Sequence, residues 1–218
     1  MRLEETTSDA AVFTESDFED TGVVSGREAV KNSLLRCCFG VSACGKLFKR
    51  SLLAQTSFPK DTLFEDLFTI PYIFERCEKV AYSSAGLYYY YQREGSITNS
   101  RITDKHMEFF SNSQRLMRHI DSHVPEAHDA MVARFSIESI KRFAEILLFC
   151  PDYYERIRLV VKKSKDMWEE GIKSKYVPTT IKIQMKTLQK SVVAYKLLFY
   201  HYKKAKLGGR KSKIACVI

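Results

Sequence analysis

Three short stretches of this 218-residue chain gather side chains that can do chemistry: Lys46-Leu47-Phe48-Lys49-Arg50, Phe64-Glu65-Asp66 and Tyr88-Tyr89-Tyr90-Tyr91-Gln92-Arg93-Glu94-Gly95-Ser96-Ile97. Glu65 and Asp66 follow a Phe-Pro turn and stand among Phe64, Leu67 and Phe68. Acids in a first helical turn are ordinarily dipole partners, each contributing ~0.3–1 kcal/mol. A carboxylate beside three apolar side chains is also partly desolvated, which raises its pKa toward that of a useful general base. Arg93, Gly95 and Ser96 combine a guanidinium, a glycine that allows close backbone approach and a small hydroxyl, the parts of an anion-gripping loop. Guanidinium and phosphate match in a bidentate way that lysine does not reproduce. The plain alternative is a hairpin exit with a surface arginine, and a tyrosine run is more often a half-buried strand than a stack for a ligand.

These stretches need elements to hold them. Ser25-Gly26-Arg27-Glu28 opens a helix, with Ser25 as cap, Glu28 three residues on and an apolar stripe of Ala29, Val30, Leu34 and Leu35. Gly40 and Gly45 mark the loop that follows, and Phe58-Pro59-Lys60-Asp61 reads as a turn. A helix is predicted from about Glu65 to Cys77, with a kink or a late start because Pro71 lies beyond its first turn. Val80 and Tyr82, then Leu87 to Tyr91, are aromatic and β-branched residues around Ser84-Ala85-Gly86, a strand–turn–strand signal over 79–92. Beyond Ser100 apolar residues recur at helical spacing over 104–122, 125–149, 152–171 and 179–207, with Pro125, Pro151 and Pro178 at positions suited to helix starts. The expected fold is α+β and mainly helical.

In this order and spacing the pieces resemble the second half of the family 2 glycosyltransferases of bacterial surface-polysaccharide synthesis. The match runs through GKLFKRSLLAQTSFPKDTLFEDLFTIPYIFERCEKVAYSSAGLYYYYQREGSITNS, residues 45–100, and its approach at 23–30 is similar to the connector of those enzymes. Residues 1–22 are polar and acidic and read as an irregular lead-in, and 101–218 as a helical extension with a basic amphipathic tail; between them the resemblance implies the acceptor-side part of a GT-A-like α/β domain at 23–100. It implies an inverting transfer of a sugar from a nucleotide-sugar donor to a saccharide or lipid-linked acceptor in cell-surface polysaccharide synthesis (capsule or lipopolysaccharide). Asp66 corresponds to the catalytic base, Glu65 to its support, Arg93 and Ser96 to residues near the donor diphosphate, and Lys46 to a residue that lines the acceptor side or holds the loop. The family also uses a divalent metal, Mg or Mn, held by an Asp-x-Asp pair after a nucleotide-binding βαβ unit. Neither that pair nor that unit precedes residue 22, so the metal ligands are absent from these residues and the expectation is a truncated chain, inactive in isolation. Cys44 stands where the family commonly carries an aromatic ring, two residues before the lysine.

Composition and charge bound the alternatives. Hydrophobic residues are 45% and charged residues 28%, which excludes global disorder and a small disulfide scaffold. No apolar run approaches the ~18–20 residues that span a bilayer, and the first residues lack an apolar h-region, so the expectation is a cytoplasmic chain. The six cysteines then read as free thiols; no CxxC pair exists, which argues against a structural metal. Cys216 is third from the end, one residue short of a prenylation motif. The net charge of +9 is unevenly spread: residues 1–20 carry one Arg and seven acids, residues 162–213 fifteen Lys/Arg and three acids. A basic segment suggests an anionic partner. The rival to a transferase is therefore a non-catalytic basic helical module on an anionic membrane surface or on a partner transferase. Nucleic acid is not expected, because the aromatics at 195–202 lie in an apolar stripe. That stripe (Ile181, Met185, Leu188, Val192, Tyr195, Phe199 and Tyr202) either lies on the inner face of a membrane, as in a peripheral protein, or packs as ordinary core.

Overall fold

The computed structural model describes residues 21–84, 88, 104–149, 155, 158, 162 and 164–199. The chain divides into two compact units, 1–92 and 93–218. The described residues are mainly helical with a small two-stranded antiparallel sheet, an α+β arrangement.

In the first unit β1 (Thr21–Ser25) leads into α1 (Gly26–Leu35), followed by α2 (Arg50–Ala54), α3 (Ile70–Glu75) and β2 (Lys79–Ser83). Ser25 caps α1 as its sequence predicts: its side-chain oxygen accepts a hydrogen bond from the Glu28 backbone N–H at 3.2 Å. Ala29, Val30 and Leu34 of the predicted stripe are buried and Leu35 is half-buried. The strand β1 is a correction to the irregular lead-in, whose last two residues it includes. β1 pairs antiparallel with β2, Gly22 opposite Tyr82 and Val24 opposite Val80. Five residues ending in a helix cap carry little local strand signal; a partner distant in sequence supplies the backbone hydrogen bonds that make them a strand. Of the second strand expected at 87–91 only Tyr88 lies among the described residues, and it is not in a strand. α1 and α3 pack so closely that a Cβ at Gly26 would run into the backbone carbonyl oxygens of Phe74 and Cys77. Phe39 completes this core, its ring 5.6 Å from that of Phe74 and 5.7 Å from that of Tyr82.

The second unit is built from α4 (Asp104–His123), a 3₁₀ turn (Pro125–Ala127), α5 (His128–Phe149), α6 (Lys165–Lys173), α7 (Thr179–Lys190) and α8 (192–199). α6 lies against α5 through Trp168, fully buried, whose indole N–H donates to the Ser139 hydroxyl at 2.9 Å. One turn on, Gly171 meets the Ser136 side chain so closely that an added Cβ would collide with its hydroxyl. Phe109, Phe110 and Phe135 form a second ring cluster between α4 and α5, with Phe109 and Phe135 stacked at 6.0 Å. A charge ladder runs along α5, where Glu138 faces Arg134 at 3.7 Å and Arg142 pairs with Glu145 at 2.7 Å.

Two predicted helices change here. The segment 152–171 breaks at a turn at Ser164, and α6 then runs to Lys173; the start at Pro151 lies outside the described residues. The single helix over 179–207 ends at Lys190, because Ser191 takes an extended backbone and its hydroxyl accepts the Ala194 N–H at 3.2 Å, capping α8. The apolar stripe packs inward: Met185, Leu188 and Tyr195 are buried, Ile181, Val192 and Phe199 half-buried, and Tyr202 lies outside the described residues. Among the described residues no helix is long and apolar enough to cross a membrane.

Candidate functional site

The segment that carries Glu65 and Asp66 is a succession of turns. Phe64 holds a left-handed backbone, φ 63°, which is costly for a bulky side chain and is kept only where surrounding contacts over-determine it. Those contacts are visible. The Phe64 carbonyl accepts from the Phe68 N–H at 3.2 Å, and the Asp66 carbonyl accepts from Thr69 and Ile70 at 3.2 and 2.9 Å. Leu67 and Phe68 are buried beneath, so the reversed backbone leaves Glu65 and Asp66 half-buried on the unit's surface. The predicted helix from Glu65 therefore starts late, at Ile70, with Pro71 in its first turn, where its missing N–H costs nothing. Glu65 and Asp66 precede that helix and do not open it, which corrects the dipole-partner reading.

Lys46 comes to this pair from the loop after α1. Gly45, at φ 71°, turns the chain, and Lys46 enters half-buried while Leu47 points fully into solvent. Burial holds the Lys46 ammonium below the ordinary lysine range; the Asp66 carboxylate, and then Cys44, act in the opposite direction. Lys46 and Asp66 thus sit within electrostatic reach of each other. Gly45 also touches the tyrosine run, since a Cβ there would lie 3.4 Å from the Tyr88 Cβ. Arg93 and Ser96 lie outside the described residues.

Arg76 pins this loop system to the scaffold, donating to the Gln55 carbonyl at 3.1 Å and to the Thr56 hydroxyl at 2.7 Å. Nothing in the spacing of Arg76 marks it for that role, because the contact spans two elements. Cys77 is half-buried and its thiol donates to the Ile73 carbonyl at 3.3 Å; burial pushes it up, with Lys49 pulling the other way. Cys37, Cys38 and Cys44 are exposed free thiols. Among the described residues of this unit no three of His, Cys, Asp and Glu converge as metal ligands, so the divalent ion of the resemblance finds no ligand set here and no chemical step is routed through it.

The second unit contributes one polar contact that sequence reasoning missed. His128, at the start of α5, sets Nδ1 2.7 Å from Asp121 of α4 and Nε2 2.8 Å from Glu170 of α6. With a carboxylate on each nitrogen, both must carry protons to donate. The Asp121 hydrogen bond raises the His128 pKa, burial opposes it and Glu170 adds to it. Also on α4, the His119 and His123 rings stack at 4.1 Å, and the His123 Nδ1 lies 3.0 Å from the His119 carbonyl. That four-residue spacing lets one helix face offer two imidazoles to a metal ion.

No family model matches the chain, and no curated protein or solved structure matches it.

Proposed function

We propose that residues 23–100 are the acceptor side of a family 2-like, inverting glycosyltransferase of GT-A type. The observation that supports this reading is that Asp66 stands half-buried just after a strained backbone at Phe64, with the half-buried Lys46 of a separate loop within electrostatic reach of it. Asp66 then takes the proton from an acceptor hydroxyl as that oxygen bonds to the anomeric carbon of a nucleotide-sugar. The bond from that carbon to the diphosphate breaks, and the nucleoside diphosphate leaves. A well-placed base contributes ~10²–10⁴-fold to such a step. Lys46 balances the charge of the carboxylate and can donate to a second hydroxyl of the acceptor, a saccharide or lipid-linked saccharide. Glu65, adjacent and half-buried, supports the turn. Arg93 and Ser96 are assigned to the donor diphosphate by resemblance. The divalent metal belongs with the nucleotide-binding elements, for which these residues supply no Asp-x-Asp pair.

The test is a transfer assay with labelled UDP- and GDP-sugars, run on the 218-residue chain alone and after adding a family 2 nucleotide-binding half. The expected result is turnover only in the combination, with Asp66→Asn lowering kcat by ~10²-fold or more at little change in donor binding. Near-full kcat in Asp66→Asn removes the base assignment. Absence of both turnover and saccharide binding in the combination removes the reading itself.

A further inference from the structure

The helix α8 is apolar on two sides. Its inner side carries Tyr195, buried against the Phe143 ring at 6.1 Å and against Phe199 at 5.0 Å, with its hydroxyl donating to Gln184 at 3.1 Å. Its outer side carries Val193, Leu197 and Leu198, which are 67, 76 and 67% exposed. Residues 193 and 197 are one turn apart on the side away from Tyr195, and Leu198 stands beside Leu197 on its flank, so the three exposed residues make one strip. Ile183 of α7 is a further exposed aliphatic residue, at 50%. A helix that is apolar all round is ordinarily covered all round; here the inner half is packed and the outer half faces water.

Charge selects what covers it. No Asp or Glu follows Glu170, while the same stretch holds twelve Lys/Arg, eleven of them lysine. Lys186, Lys190 and Lys196 are exposed on α7 and α8 themselves. Lysine is a compact point charge without the fork that arginine offers to a single carboxylate or phosphate, which suits a diffuse anionic layer better than paired contacts. Nucleic acid fits poorly, because stacking on bases needs outward rings and the aromatic residues described on α8 turn inward. We propose that α8 docks flat on an anionic lipid surface, with Val193, Leu197 and Leu198 entering the headgroup–acyl boundary and the lysines of α7 and α8 over the headgroups. The docking face is the opposite of the Tyr195 stripe that the sequence periodicity picks out. It does not depend on the chemistry assigned to Asp66.

Flotation of the full chain with vesicles tests this. Binding is expected with phosphatidylcholine–phosphatidylglycerol vesicles, not with phosphatidylcholine alone, and it weakens as salt is raised. The double variant Leu197→Gln, Leu198→Gln should lose about ten-fold or more in partitioning, while the emission of Trp168, the only tryptophan, stays unchanged because both sites are exposed. If that emission shifts, the single variant Val193→Gln replaces it, and Lys186→Gln with Lys190→Gln gives the independent electrostatic arm, expected to weaken binding without touching the strip. Flotation that is equal on neutral and anionic vesicles, or absent on both, overturns the proposal. So does anionic binding unchanged in the folded glutamine variants, which assigns it to charge alone, and retention on nucleic acid without vesicle binding.

Discussion

The two units solve helix contact in opposite ways. In the first, α1 meets α3 where Gly26 lies against bare backbone carbonyls, and much of the chain between them is turns. In the second, α5 meets α6 through side chains: Trp168 is sealed in and hydrogen-bonded, and Gly171 nests on a serine hydroxyl that can rotate. The difference follows from the elements available. α1 and α3 are ten and six residues long, too short to bury a wide apolar face, whereas α5 runs for twenty-two. In the first unit, turns hold Lys46 and Asp66 half-buried, presenting side chains at angles that a regular helix does not. The long helix α5 buries charges as well, but in pairs along its own length, Arg134 with Glu138 and Arg142 with Glu145, while His128 pairs across helices with Asp121 and Glu170.

This contrast can be broken at its centre by Trp168→Ala, the largest effect expected. Losing a fully buried indole should cost the second unit ~3–5 kcal/mol, read by circular dichroism and by hydrogen exchange of α5 and α6. The first unit should keep its protection. Joint loss of both units would show them to be one cooperative body. Next comes Gly26→Ala, for which the colliding atoms are backbone carbonyls that cannot rotate away. A destabilisation of ~1–3 kcal/mol is expected, with faster labelling of the Cys77 thiol and unchanged Trp168 emission; an unperturbed Cys77 rate would mean that α1 and α3 can slide apart at no cost.

A smaller effect sharpens the same comparison. Ser25→Ala removes the α1 cap and should cost the first unit ~1 kcal/mol, largely recovered in Ser25→Asn; equal loss in both would move the role of Ser25 from its side chain to its backbone. The smallest is the pH response of the second unit. The folded pKa of His128 is raised above its unfolded value near 6.5, so its contribution is fully present below that value and is lost as pH rises through the folded one. The second unit should therefore unfold at lower denaturant at pH 8–9 than near pH 6, by a modest amount since all three partners are largely solvent-exposed. His128→Gln should flatten that part of the profile. A slope that survives the substitution assigns the response to other groups.

Much of the local organisation was legible in the residue order. The Ser25 cap, the extents of α4 and α5 and a strand at 79–83 follow from hydroxyl placement, three-and-four spacing and β-branched residues, all signals a few residues long. The cap at Ser191 was equally local, a hydroxyl three residues before the N–H it accepts, but it was hidden inside a stripe whose period continues across the break. For the candidate site, the residue types were legible and their meeting was not. Glu65 and Asp66 stand in turns ahead of α3 and not in a helix, with Phe64 just before them in a left-handed backbone that an α-helix does not contain, and Lys46 comes within electrostatic reach of Asp66 from a separate loop.

Local pattern thus decided where helices begin and which faces are apolar, since capping and periodicity depend on neighbours along the chain. Packing alone decided that β1 is a strand, since its partner β2 is remote in sequence. It decided that His128 faces two carboxylates from two other helices. It also decided which of two apolar sides of α8 is core: periodicity reports that a face is apolar, while only the position of Phe143 determines that Tyr195 turns inward and Leu197 is left outside.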